Sequence, residues 1–187
     1  MKKSAAQGQP IAYVAFLRGI NVGGHKLVKM TEVVKAFEKA GFQKIKTLLA
    51  SGNVLFEAAE TDAPALTLKI EAQLKKTFGH DIGVILRSIG EIRKTVAADP
   101  FAGVEAGPDC KLYVTFLDQK SSGKFKTPYE SPEKDFRVLS AVGREIFCVT
   151  WPTAGGRFGD FTRVVEKEFG KKITTRNWNT VMKILEF

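Results

Sequence analysis

Between Ile11 and Ser88 the hydrophobic period of the chain changes in a fixed order, and that order narrows the fold more than any single motif does. The apolar run "IAYVAFL" reads as a short buried strand. The next stretch places Val33, Val34, Phe37 and Ala40 at helical spacing, with Thr31 as the expected cap and Gly41 as the stop. "KIKTLLASGNVLFEA" gives two strands meeting at Ser51, Gly52 and Asn53, residue types that suit a turn. Asp62 and Pro64 open a second helix with Leu66, Ile70, Leu74 and Phe78 at i, i+4, Gly79 closes it, and "IGVILRS" is a further strand. Strand, helix, strand, strand, helix, strand is the order of a ferredoxin-like sandwich.

The second half again mixes both periods. Ser88 and Glu91 have the spacing of a capping box, which predicts a connecting helix from about Ile89 to Ala97 that stops at Asp99 and Pro100. "KLYVTFLD" is a strand and "QKSSGKFKTPYESP" a polar loop. "DFRVLSAVGREIFCVTW" is a hairpin turning at Gly143. Phe161, Val164, Val165 and Phe169 mark one helix, and Trp178, Val181, Met182 and Leu185 a last one. The expected class is therefore α+β, with a frayed arm over residues 1–10, a ferredoxin-like subdomain over 11–98 and a second α+β subdomain over 99–187. No repeat stands out in the sequence itself.

Composition enters where it excludes classes. The N-terminal residues lack the apolar core of a secretory signal, and "IAYVAFL" stops at Arg18, far short of the roughly 20 residues that span a bilayer. A cytoplasmic protein with no membrane partner is expected. Cys110 and Cys148 lie far apart with no CxxC or histidine partner, so no metal site is expected and both read as reduced core thiols. The net charge of +9 favours an anionic partner, and from Met1 to Thr31 there are five basic residues and no acidic one.

Into that basic stretch falls "RGINVGGHKLVKM". Gly19 and Gly24 have the Walker A spacing, but His25 precedes Lys26, and Leu27 stands where a hydroxyl would hold magnesium. P-loop triphosphate chemistry is thereby unsupported, and there is no G-x-G-x-x-G for a dinucleotide, so no cofactor is expected. What survives is a glycine-rich turn after a strand, with Arg18, Asn21, Gly23, Gly24 and Lys26 able to hold an anion through backbone amides and cations. Equally, the glycines can serve the turn alone. If the first two strands lie side by side, Ser51 and Asn53 reach the same end of the sheet. In "TTRNWNT", Thr175 reads as a helix N-cap, with Arg176 and Asn177 in the first turn, where anions are favoured, while Trp178 falls on the core stripe.

Neither His25 nor His80 lies in a hydrolase or zinc-protease motif, and Asp160 is a lone carboxylate in a glycine-rich loop. An RNA-recognition reading needs exposed aromatics on an open sheet face, but Val14 with Phe16, and Tyr13 with Ala15 and Leu17, make both faces of the first strand look buried. Three functional readings stay open. They are an anionic small ligand at the glycine loop, nonspecific nucleic-acid binding through the basic surface, and an enzyme on a nucleotide or phosphorylated metabolite using His25, Lys26 or Asp160. The oligomeric state is not readable.

Taken in order, "FLRGINVGG" with "KLVKM", "LLASGNVLF" and "TTRNWNTVMKI" resemble the domain of unknown function (DUF) 1697 family of bacterial proteins. The resemblance implies an α+β fold of two ferredoxin-like subdomains. It implies no established activity, cofactor or catalytic residue.

Overall fold

β1 (Ile11–Leu17) lies inside a four-stranded antiparallel sheet, paired on one side with β3 (Asn53–Ala58) and on the other with β4 (Val84–Ser88), while β2 (Gln43–Leu48) takes the outer edge beside β3. The order β2-β3-β1-β4, with helix α1 (Met30–Lys39) before β2 and α2 (Ala63–Phe78) before β4, is the ferredoxin-like arrangement the periodicities predict. This computed structural model describes residues 9–21, 27–59, 62–105, 107, 109–121 and 125–186. Most of the expected N-terminal arm therefore lies outside the described residues. The chain divides into two compact units, Met1–Glu91 and Ile92–Phe187.

The first unit packs both helices on one sheet face. Tyr13, Ala15 and Leu17 of β1, Val54 and Phe56 of β3, and Val84 and Leu86 of β4 meet Val33, Ala36 and Phe37 of α1 and Leu66, Ile70 and Leu74 of α2. Phe56 is the hub, with the rings of Phe42, Phe37 and Tyr13 at 4.6, 5.3 and 5.7 Å. Burying one such ring stabilises the fold by about 1.5–3 kcal/mol. The other face is buried as well, at Val14, Phe16, Leu55 and Ile85. No aromatic platform is therefore open on β1. Thr31 does not cap α1: Lys29 occupies the cap position without a side-chain bond, because the helix starts one residue before the threonine. Gly79 does close α2 in the left-handed conformation.

The second unit contains β5 (Lys111–Leu117), the short β6 (Tyr129–Glu130), β7 (Phe136–Val142), β8 (Glu145–Thr150), α4 (Thr162–Phe169), β9 (Ile173–Asn177) and α5 (Trp178–Ile184). Its sheet order is β6-β7-β8-β5-β9. With β6 set aside, β7-β8-β5-β9 repeats β2-β3-β1-β4. The registers agree residue for residue: Tyr13 pairs Ser88 and Leu17 pairs Val84, while Tyr113 pairs Asn177 and Leu117 pairs Ile173. The repeat is thus one of architecture, as two ferredoxin-like subdomains imply, although none stands out in the sequence. Its one legible trace is "YVAFL" in β1 against "YVTFL" in β5. No helix matches α1, since the connection from β5 to β7 carries only β6 among its described residues.

In each unit the last strand runs directly into a helix capped by that strand's final side chain. Ser88 Oγ accepts from Glu91 N while Glu91 Oε2 accepts from Ser88 N, closing the predicted capping box at the start of α3 (Ile89–Ala97). At α5 the cap is Asn177, whose side chain accepts from Asn179 N. Thr175 is thus not a cap. It lies within β9, its Oγ1 2.7 Å from Thr115 Oγ1, because the β-branched run Ile173, Thr174 and Thr175 extends the edge of the sheet. The buried stripe of α5 is Val181 and Ile184, and Met182 faces solvent.

Candidate functional site

At one end of the first sheet, three connections are tied together. Leu17 N donates to Gly52 O (2.8 Å) and Arg18 N to Gly83 O (2.9 Å), so the exit of β1 touches both the β2–β3 turn and the entry of β4. β1 and β2 do not lie side by side. β3 lies between them, antiparallel to both, which still leaves their carboxyl ends at the same end of the sheet.

The side chain of Asn21 completes the junction. Its Oδ1 accepts from Val28 N (2.8 Å), and its Nδ2 donates to Val28 O (3.1 Å) and to Ala50 O (2.9 Å). Asn21 has φ +55°, a conformation asparagine tolerates better than most residues. One amide therefore closes the glycine-rich segment at its base and ties that base to the neighbouring turn. Asn53, fully buried, does similar work inside the turn, donating to Leu48 O (2.7 Å) and Ser51 Oγ (3.1 Å). Gly52 has no room for a side chain: a Cβ there would stand 2.7 Å from Ile20 Cδ1 and 2.8 Å from Leu17 Cβ.

Arg18 lies against the opposite connection. A Cβ at Gly83 would stand 2.9 Å from its Nη1, so the absence of a side chain at Gly83 is what lets the guanidinium lie there. Leu27 and Leu49 are both well exposed on the two loops that Asn21 joins. Gly23, Gly24, His25 and Lys26, the centre of the glycine motif, lie outside the described residues.

Arg176 and Asn177 belong to the second unit. Arg176 is buried in β9 and donates through Nη1 to Thr174 Oγ1 (2.7 Å) and Thr175 O (2.8 Å). Burial pulls its guanidinium down to about 10, which leaves it charged at neutral pH. At the matching register of the first unit, Arg87 is likewise buried and donates to Leu86 O (2.9 Å). The signal of Arg87 becomes visible only once "VILRS" and "ITTRN" are aligned through the sheets. Neither Arg176 nor Asn177 lies in a first helical turn, because β9 extends through both and the helix begins at Trp178.

The remaining candidates have local roles. Asp160 Oδ1 accepts from Thr162 N (2.9 Å) at the start of α4. His80 Nδ1 is 2.9 Å from Phe78 O. Trp178 packs against Phe101 and Phe147, with ring centres at 5.0 and 6.3 Å. Both cysteines are free thiols, and burial pushes Cys148 up from the ordinary thiol range. Among the described residues there is no cluster of three or more His, Cys, Asp or Glu able to hold a metal, and no helix is long and apolar enough to cross a membrane.

A family model described as a protein of unknown function, DUF1697, matches residues 11–147. Among solved structures, a conserved bacterial protein from Streptococcus pneumoniae is similar at a TM-score of 0.67 and 18% sequence identity, over 95% of this chain and 99% of that one. At that identity the likeness bears on the fold. No curated protein matches the chain.

Proposed function

The chain belongs to the DUF1697 family of proteins of unknown function, and from that premise we propose that the first unit binds a phosphate-bearing or otherwise anionic small ligand at the end of β1. The observation that carries the proposal is the junction itself. Three connections are fastened there by Leu17 N, Arg18 N and the Asn21 amide, and the Arg18 side chain lies beside it over Gly83. A fastened junction fixes the backbone that carries the Arg18 cation before a ligand arrives, which lowers the ordering cost of anion recognition.

In this proposal Arg18, Gly23, Gly24 and Lys26 meet the ligand. Asn21, Ser51 and Asn53 form the frame. Arg176 and Asn177 act within the second unit, as strand and cap residues.

The test is a thermal-shift panel of inorganic phosphate, pyrophosphate, sulfate and nucleotides on the full chain. A ligand at about 100 times its Kd stabilises the protein it binds by about 2.7 kcal/mol. The shift should appear in the natural chain and shrink in Arg18→Ala and Lys26→Ala. Unchanged shifts in both variants would remove the site. Retention of DNA or RNA with affinity falling steeply as salt rises would replace the small anion by a nucleic-acid backbone.

A further inference from the structure

The repeat carries a position from the first unit to the second. In the second unit Leu117 N donates to Arg144 O (2.8 Å) and Asp118 N to Lys172 O (3.2 Å), the counterparts of Leu17 N to Gly52 O and Arg18 N to Gly83 O. The side chains at the matched positions have changed. Where the first unit has Arg18 lying over Gly83, the second has Asp118 beside Lys172. The cation has moved from the strand exit to the strand entry.

Here the second unit has an open cavity of about 340 Å³, lined by residues 117–121 at and after the end of β5 and 168–172 from the end of α4 to the start of β9. That volume is in the range of small-molecule sites. The basic Lys120, Lys171 and Lys172 and the acidic Asp118 and Glu168 are among its lining residues. The lysines attract a phosphate. The carboxylates repel a bare one, yet they accept hydrogen bonds from hydroxyl groups. A lining of both kinds therefore suits a molecule that carries both.

We propose that this cavity is a second binding site, specific for a phosphorylated polyhydroxy compound. The phosphate sits among Lys120, Lys171 and Lys172, and the hydroxyls donate to Asp118 and Glu168. The site stands apart from the one proposed on the first unit, since no residue is shared.

The experiment is a titration of the isotope-labelled full chain at low salt, followed by amide NMR, with glucose 6-phosphate, inorganic phosphate and glucose added separately. Glucose 6-phosphate should move the amides of residues 118–121 and 170–172 at the lowest concentration. The double variant Lys171→Ala, Lys172→Ala should weaken it by at least about tenfold, a loss of about 1.4 kcal/mol. Glu168→Gln should narrow the gap between sugar phosphate and inorganic phosphate. Arg18→Ala should leave the shifts of residues 118–121 and 170–172 unaltered, so failure at either site is read without reference to the other. No shifts at residues 118–121 and 170–172, or shifts there indifferent to the double variant, would overturn the site. Inorganic phosphate binding as tightly as the sugar phosphate would overturn its specificity.

Discussion

Replacing Asn21 separates a frame residue from a ligand contact. Its side chain makes three hydrogen bonds to backbone, two of them part-buried and one exposed. At about 0.5–1.5 kcal/mol each, with the exposed bond at the low end, their loss costs about 2 kcal/mol. Alanine must also hold φ +55°, which adds about 1 kcal/mol that glycine escapes. Asn21→Ala should therefore destabilise by about 3 kcal/mol, and Asn21→Gly by about 2–2.5 once glycine's greater chain entropy is counted. Urea unfolding followed by far-UV circular dichroism measures both, and the panel of anions should then be repeated on whichever variant remains folded. A frame residue affects stability first and binding through it. If Asn21→Ala stayed within about 0.5 kcal/mol of the natural chain, as an ordinary surface change does, while anion binding vanished, Asn21 would be a ligand contact and the frame assignment would be wrong.

Two further outcomes are expected. Gly52→Ala combines a left-handed φ of +78° with contacts of 2.7 and 2.8 Å and should cost about 2–4 kcal/mol, whereas Gly41→Ala, at φ +84° with nothing within 4 Å, should cost only about 1 kcal/mol; equal losses in urea would refute the steric account. Burial raises Cys148, so above the ordinary thiol value the unfolded chain releases that proton before the folded one does. Stability should therefore fall as pH rises from about 8 to 10, by up to about 1.4 kcal/mol per pH unit from this thiol. Cys148→Ala should lack that component of the slope, and identical slopes would show that the thiol does not contribute it.

Much of the architecture was legible because it rests on local rules. The stripe Leu66, Ile70 and Leu74, the glycine at 79 and the Ser88–Glu91 box each act within a few residues. β9 was not legible. Five residues with two threonines and an asparagine look like a helix start, and only pairing with β5, some sixty residues earlier, makes them a strand. The repeat was hidden for a related reason: its register is a property of paired strands, while its sequence survives mainly in "YVAFL" and "YVTFL". At the candidate site, residue types pointed to Asn21 and Asn53 as polar groups near a glycine loop. Their hydrogen bonds, to backbone and from Asn53 also to Ser51 Oγ, hold the turns together, a distinction spacing does not encode.

Because one amide grips Val28 and Ala50 together, the intervening stretch from residue 22 to 27 begins and ends at a fixed gate. Changes of length or chemistry inside such a gate are insulated from the sheet, since loop closure grows costlier only slowly with added residues. Selection can alter that segment without renegotiating the fold. By that logic the fastened asparagine is what makes the segment beside it evolvable.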